Sequence, residues 1–141
     1  MNNLIIKRSQ LIEAQFVGTP ANGKKYQFND VPNLARNNIV IYGFEAFTAT
    51  QLSITPNNNT VVPATVADQI VLTFIDNNNK EIIYQMPYYT AIRSLNGGFV
   101  LMTKPFIMNL TRSYVQITDS TGINANTVVS INLYYAIIGE E

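Results

Sequence analysis

The run Thr127-Val128-Val129-Ser130-Ile131-Asn132-Leu133-Tyr134-Tyr135-Ala136-Ile137-Ile138 decides the fold class. In an extended chain Val129, Ile131, Leu133, Tyr135 and Ile137 fall on one side, with Val128, Ser130, Asn132, Tyr134 and Ala136 on the other. A period of two fits a strand, whose successive side chains point to opposite faces; a helix repeats its faces only every ~3.6 residues. One face is apolar and the other mixed, and Tyr134 on the mixed face predicts that this side is covered too.

Working outward, Asn38 to Phe47 carries the same signature. Val40, Tyr42, Phe44 and Ala46 alternate with Ile41, Gly43, Glu45 and Phe47, and the central glycine predicts a bulge or a close backbone approach. Gln69 to Ile75 and Glu81 to Met86 flank Asp76-Asn77-Asn78-Asn79-Lys80. Two β-rich runs joined by asparagines, which tolerate the left-handed backbone of tight turns, predict a hairpin. Further strands are expected at Leu4 to Ser9, Ile12 to Val17, Lys24 to Phe28, Phe99 to Thr103 and Ser113 to Thr118. Turn-forming clusters separate them: Gly18 to Gly23, Asn29 to Asn33, Pro56 to Thr60, Asn96-Gly97-Gly98 and Asp119 to Asn126.

Helical signals are sparse. Pro87 to Leu95 fits one helical turn that opens on a proline and stops before Asn96-Gly97-Gly98, and Val66 to Ile70 is too short to assign. No repeat, linker or composition shift divides the chain, so residues 1–141 read as a single domain. The expected architecture is all-β: one antiparallel β-sandwich of about eight strands, jelly-roll-like in its winding. An immunoglobulin-like sandwich is the alternative, since both share this periodicity and turn density. An up-and-down barrel fits less well because the loops are uneven.

Composition narrows the chemistry. Lys plus Arg and Asp plus Glu are both 9, so net charge is zero, and charged residues make up only 13% of the chain against ~25% in an average domain. The polar surface is built from asparagine and threonine. A weakly charged surface repels copies of itself poorly and favours self-association. Without a basic excess to displace counterions from phosphate, no direct nucleic-acid partner is expected. No apolar run is long enough for a membrane-spanning helix. At the N-terminus Lys7-Arg8 follow the apolar Leu4-Ile5-Ile6, the reverse of a secretory signal, so folding in a cytoplasm is expected.

The chain holds neither cysteine nor histidine. That removes disulfides, Ser-His-Asp and Cys-His nucleophilic sites, and histidine or thiolate metal cages. Carboxylates could still pair for acid–base work. Of those in candidate strands, Glu13, Glu45 and Glu81 are expected to be solvent-exposed or salt-bridged, and no enzyme activity and no cofactor is expected. The Asp76 to Glu81 stretch lacks the glycine and the terminal glutamate of a calcium loop and reads as a turn. Asp119-Ser120-Thr121-Gly122 is likewise a turn signature. Asn96-Gly97-Gly98 lacks the lysine and helix of a phosphate loop. Asn58-Asn59-Thr60 and Asn109-Leu110-Thr111 match the glycosylation sequon, which acts only in a secreted protein.

Two features point to binding. Tyr88 and Tyr89, followed by Arg93, suit an interface anchor or a sugar-stacking platform; alternatively the tyrosines close one end of the sandwich with their hydroxyls exposed. Leu4, Ile5 and Ile6 near the start and Ile137 and Ile138 near the end are apolar segments where chains ordinarily fray. They are expected to be central strands or edges that pair with a neighbouring subunit.

The short N-terminal strand, the long aromatic strand from Ile39 to Thr48, the Asn/Thr-rich loops and the final strand through Leu133-Tyr134-Tyr135 together resemble small bacteriophage virion structural proteins. The resemblance implies a jelly-roll capsid or capsid-decorating protein, made in the host cytoplasm and located in the virion. It implies homo-oligomers and other virion proteins as partners, and brings no catalytic residue with it. The chain lacks a basic N-terminal arm, which argues against genome packaging. A carbohydrate- or receptor-binding sandwich, such as a fibre tip or lectin-like module, is the second expectation, and a carboxylate-and-tyrosine lyase or hydrolase the third.

Overall fold

The computed structural model describes residues 4–34, 38–92 and 100–139. Eight strands follow one another: β1 (Leu4–Gln15), β2 (Lys25–Gln27), β3 (Ile39–Phe47), β4 (Ile70–Ile75), β5 (Glu81–Pro87), β6 (Val100–Phe106), β7 (Tyr114–Ile117) and β8 (Val128–Gly139). Short 3-10 turns lie at Pro32–Leu34, Ala64–Gln69 and Tyr88–Ala91.

The strands form two four-stranded sheets, ordered β1-β8-β3-β6 and β2-β7-β4-β5, with every strand pair antiparallel. First pairs with last, second with second-last, third with sixth and fourth with fifth. A four-stranded ribbon folded back on itself and rolled up gives this order, which is the jelly roll; the immunoglobulin-like alternative is set aside.

β1 is one continuous strand where the sequence pattern suggested two, and it faces β8 from Leu4 opposite Gly139 to Gln15 opposite Val128. The interior of the sandwich is built from alternate residues: Ile12 and Ala14 on β1, Ile131 and Leu133 on β8, Ile70, Leu72 and Phe74 on β4, Val115 and Ile117 on β7, each fully buried. Aromatic rings join the layers. Phe44 meets Phe74 of the opposite sheet edge-on at 5.0 Å, and Phe16 lies 4.9 Å from Tyr26. Truncating either ring of the Phe44–Phe74 pair to alanine would remove about 3–5 kcal/mol.

Gly43 acts as the sequence suggested. The register of β3 against β8 jumps between Ile41 and Gly43, leaving Tyr42 as the extra residue. One inserted residue exchanges the faces of a strand. Ile39 and Ile41 before the bulge, and Phe44 and Ala46 after it, therefore all point into the core, although simple alternation put Ile41 and Phe44 on opposite faces. On its other side β3 pairs with β6 at Phe106 and again at Leu101, so several residues of β6 bow away from the ladder between these points. Pro105 sits in the bow, where its missing N–H costs no ladder bond.

Candidate functional site

The two apolar terminal segments meet. Leu4, Ile5 and Ile6 face Gly139, Ile138 and Ile137 across the β1–β8 ladder. β8 lies inside its sheet, while β1 is an edge. Ile137 packs against the core and Ile138 is partly exposed. The side chains of Leu4, Ile5 and Ile6 lie outside the described part of the molecule. Part of the β1 edge is already covered: the Glu13 N–H donates to Asn29 Oδ1 at 2.8 Å, and the Asn29 N–H donates to the Glu13 carbonyl at 2.8 Å.

The paired tyrosines have opposite fates. Tyr88 is fully buried, and its hydroxyl also lies inside, within reach of the backbone carbonyls of Phe47 and, at 3.1 Å, Ser130. It is a fastener of the fold and cannot be an exposed platform, nor does it present its hydroxyl to solvent. Burial pushes that hydroxyl well above the ordinary tyrosine value. Tyr89 turns the other way and stands 44% exposed. Arg93 lies outside the described residues, as does the end of the expected Pro87–Leu95 turn.

Tyr89 stands at the lip of a cleft of about 330 Å³. The floor includes buried Ala67 and Ile92, and exposed Thr50, Thr65 and Asp68 line the walls. Gln51 completes it, with its side-chain oxygen held by the backbone N–H and the hydroxyl of Thr48 at 2.9 and 2.8 Å. These residues come from three separate segments: the turn after β3, the 3-10 turn before β4 and the one after β5. Only Tyr89 drew notice in the sequence, because no spacing in the chain announces the juxtaposition of the others.

A second, larger groove of about 580 Å³ opens where β6 bows away from β3. Val40, Ile82, Met102 and Phe106 give it an apolar lining, and Lys80 and Lys104 flank it. Exposed apolar side chains also sit on the edge strands of this side: Tyr84 on β5 and Leu101 on β6, 59% and 67% exposed.

The three strand carboxylates divide between surface and interior. Glu81 is exposed, but Glu13 and Glu45 are buried. Glu13 accepts hydrogen bonds from the Thr55 hydroxyl at 2.9 Å and from the side-chain amides of Asn57 and, at 3.2 Å, Asn59. Glu45 accepts one from the Tyr134 hydroxyl at 2.7 Å. Neutral donors meet both oxygens of the Glu13 carboxylate, which is how the interior accommodates it. Elsewhere Asp76 spends its carboxylate on the N–H groups of Asn78 and Lys80, and the hydrogen bonds from Thr121 hold Asp119 below its ordinary value.

Among the described residues, no group of three or more acidic, histidine or cysteine side chains gathers where it could hold a metal, and no helix is long and apolar enough to cross a membrane. No protein-family model matches the chain, and neither a curated protein nor a solved structure matches it.

Proposed function

We propose that this protein is a structural component of a viral particle, which assembles with copies of itself into a shell or attaches to one, and catalyses no reaction. The observation that carries this reading is the jelly-roll winding with large apolar side chains exposed on two adjoining edge strands, Tyr84 on β5 and Leu101 on β6. Double-sheet jelly rolls recur in viral capsid domains, so the fold supports the reading by analogy. The edges support it physically. Unpaired strands that carry apolar side chains favour contact with another chain, and the nine positive and nine negative charges oppose that contact weakly.

The test is native mass measured across a concentration series, with negative-stain images of the same samples. Symmetric oligomers or shell-like particles are the expected outcome. A strict monomer at every concentration that also fails to bind intact phage capsids would overturn the proposal.

A further inference from the structure

We infer that the cleft beside Tyr89 is a binding site for a neutral saccharide, a function that does not depend on whether the protein assembles. Three features of the cleft point to this ligand class. The first is the aromatic ring. Tyr88 is anchored to the carbonyls of Phe47 and Ser130, and the Thr90 hydroxyl donates to the Pro87 carbonyl at 2.7 Å, so the turn that carries Tyr89 is fastened on both sides of it. The exposed ring is therefore presented on a fixed support, and an aromatic face held in place gives contact area at little entropic cost.

The second feature is the wall. Thr50, Thr65 and Asp68 place two hydroxyls and a carboxylate around the apolar floor at Ala67 and Ile92. A sugar ring matches this pattern, with an apolar C–H face for Tyr89 and hydroxyls that both donate and accept. Adjacent sugar hydroxyls can donate together to the two oxygens of the Asp68 carboxylate, and the threonine hydroxyls can serve in either sense. The third is size: about 330 Å³ lies at the small end of ligand pockets and suits a short saccharide.

Other ligand classes fit less of the cleft. An anion would face Asp68, with no basic side chain among the described residues of the lining. A flat apolar ligand would strip water from Asp68 and the threonines without replacing their hydrogen bonds. A small cation could use the ring and Asp68 but would leave the threonines unused.

The experiment is an array of neutral glycans ending in hexoses and N-acetylhexosamines, followed by calorimetric titration in solution with the retained sugar, expressed per protomer so that assembly does not enter. Wild-type protein should retain at least one glycan. Tyr89→Ala and Asp68→Asn should each weaken binding at least about tenfold, whereas Val17→Ala, at an exposed residue outside the cleft, should match wild type. Circular dichroism checks that each variant is folded. Binding should change little between low salt and about 0.5 M salt, because no charge pair carries it. No retained neutral glycan, equal affinity in Tyr89→Ala, or affinity that collapses with salt would each overturn the assignment.

Discussion

The hydroxyl of Tyr88 lies 3.1 Å from the carbonyl oxygen of Ser130, so the turn after β5 in one sheet is fastened to the start of β8 in the other. The same hydroxyl reaches the carbonyl of Phe47 at the end of β3. Tyr88→Phe keeps the ring and deletes only this link. It should cost about 1–2 kcal/mol in urea unfolding, the usual price of removing a buried hydrogen-bonding partner.

That link is also a titrating group. Its folded value is raised above the ordinary 10.0, so the neutral hydroxyl is favoured in the native state. The stabilisation is complete below pH 10 and is lost as pH rises from there towards the higher folded value, because the unfolded chain releases the proton first. Thermal unfolding between about pH 9 and pH 11 should show a steeper fall for wild type than for Tyr88→Phe. Parallel curves would show that Tyr88 does not control this alkaline loss.

Glu13 supports a loop rather than a reaction. Its carboxylate gathers the side chains of Thr55, Asn57 and Asn59, all in the segment that connects β3 to β4. Glu13→Gln replaces one acceptor oxygen with an NH2 group aimed at other donors. We expect a loss of about 1–3 kcal/mol and faster amide exchange across residues 55–59, with exchange in the β4–β5 hairpin unchanged.

How much of this was legible in the sequence depended on whether the signal was local. The β8 alternation, the Asp76–Lys80 turn and the Gly43 bulge are local and could be read directly. The consequence of the bulge, which turns both Ile41 and Phe44 inward, needs the paired strand to be seen. Glu13 and Glu45 looked like surface acids because donors that reach them are distant in the chain; Thr55 is 42 residues from Glu13 and Tyr134 is 89 from Glu45. The Tyr89 cleft was hidden for the same reason, as the fold alone brings Thr50, Thr65 and Asp68 together.

The hairpin turn offers a cleaner test of local chemistry. Asn79 has φ 62°, and its N–H donates to the Asp76 carbonyl at 3.0 Å. Glycine enters this left-handed region without a Cβ penalty, whereas a β-branched residue is forced out of it. Asn79→Gly should leave the unfolding midpoint within a degree or two of wild type, and Asn79→Val should lower stability by about 1–2 kcal/mol. Equal midpoints for the two variants would show that the turn relaxes into another form.

The exposed pair on the adjoining edges discriminates assembly from mere stickiness. Tyr84 and Leu101 are far from fully packed, so Tyr84→Lys combined with Leu101→Lys should change stability by no more than about 1 kcal/mol. Lysine on a strand edge opposes pairing with another chain through its charge and its hydration. If β5 and β6 form the contact between copies, the double variant should weaken association at least about tenfold and move the native mass towards monomer at concentrations where wild type is oligomeric. Placing the same two lysines at Val17 and Ile54, exposed apolar residues away from these edges, should leave the oligomer intact. If both double variants dissociate equally, the dissociation is a general response to added positive charge; if neither does, the contact lies on another surface, with the β1 edge the next to test.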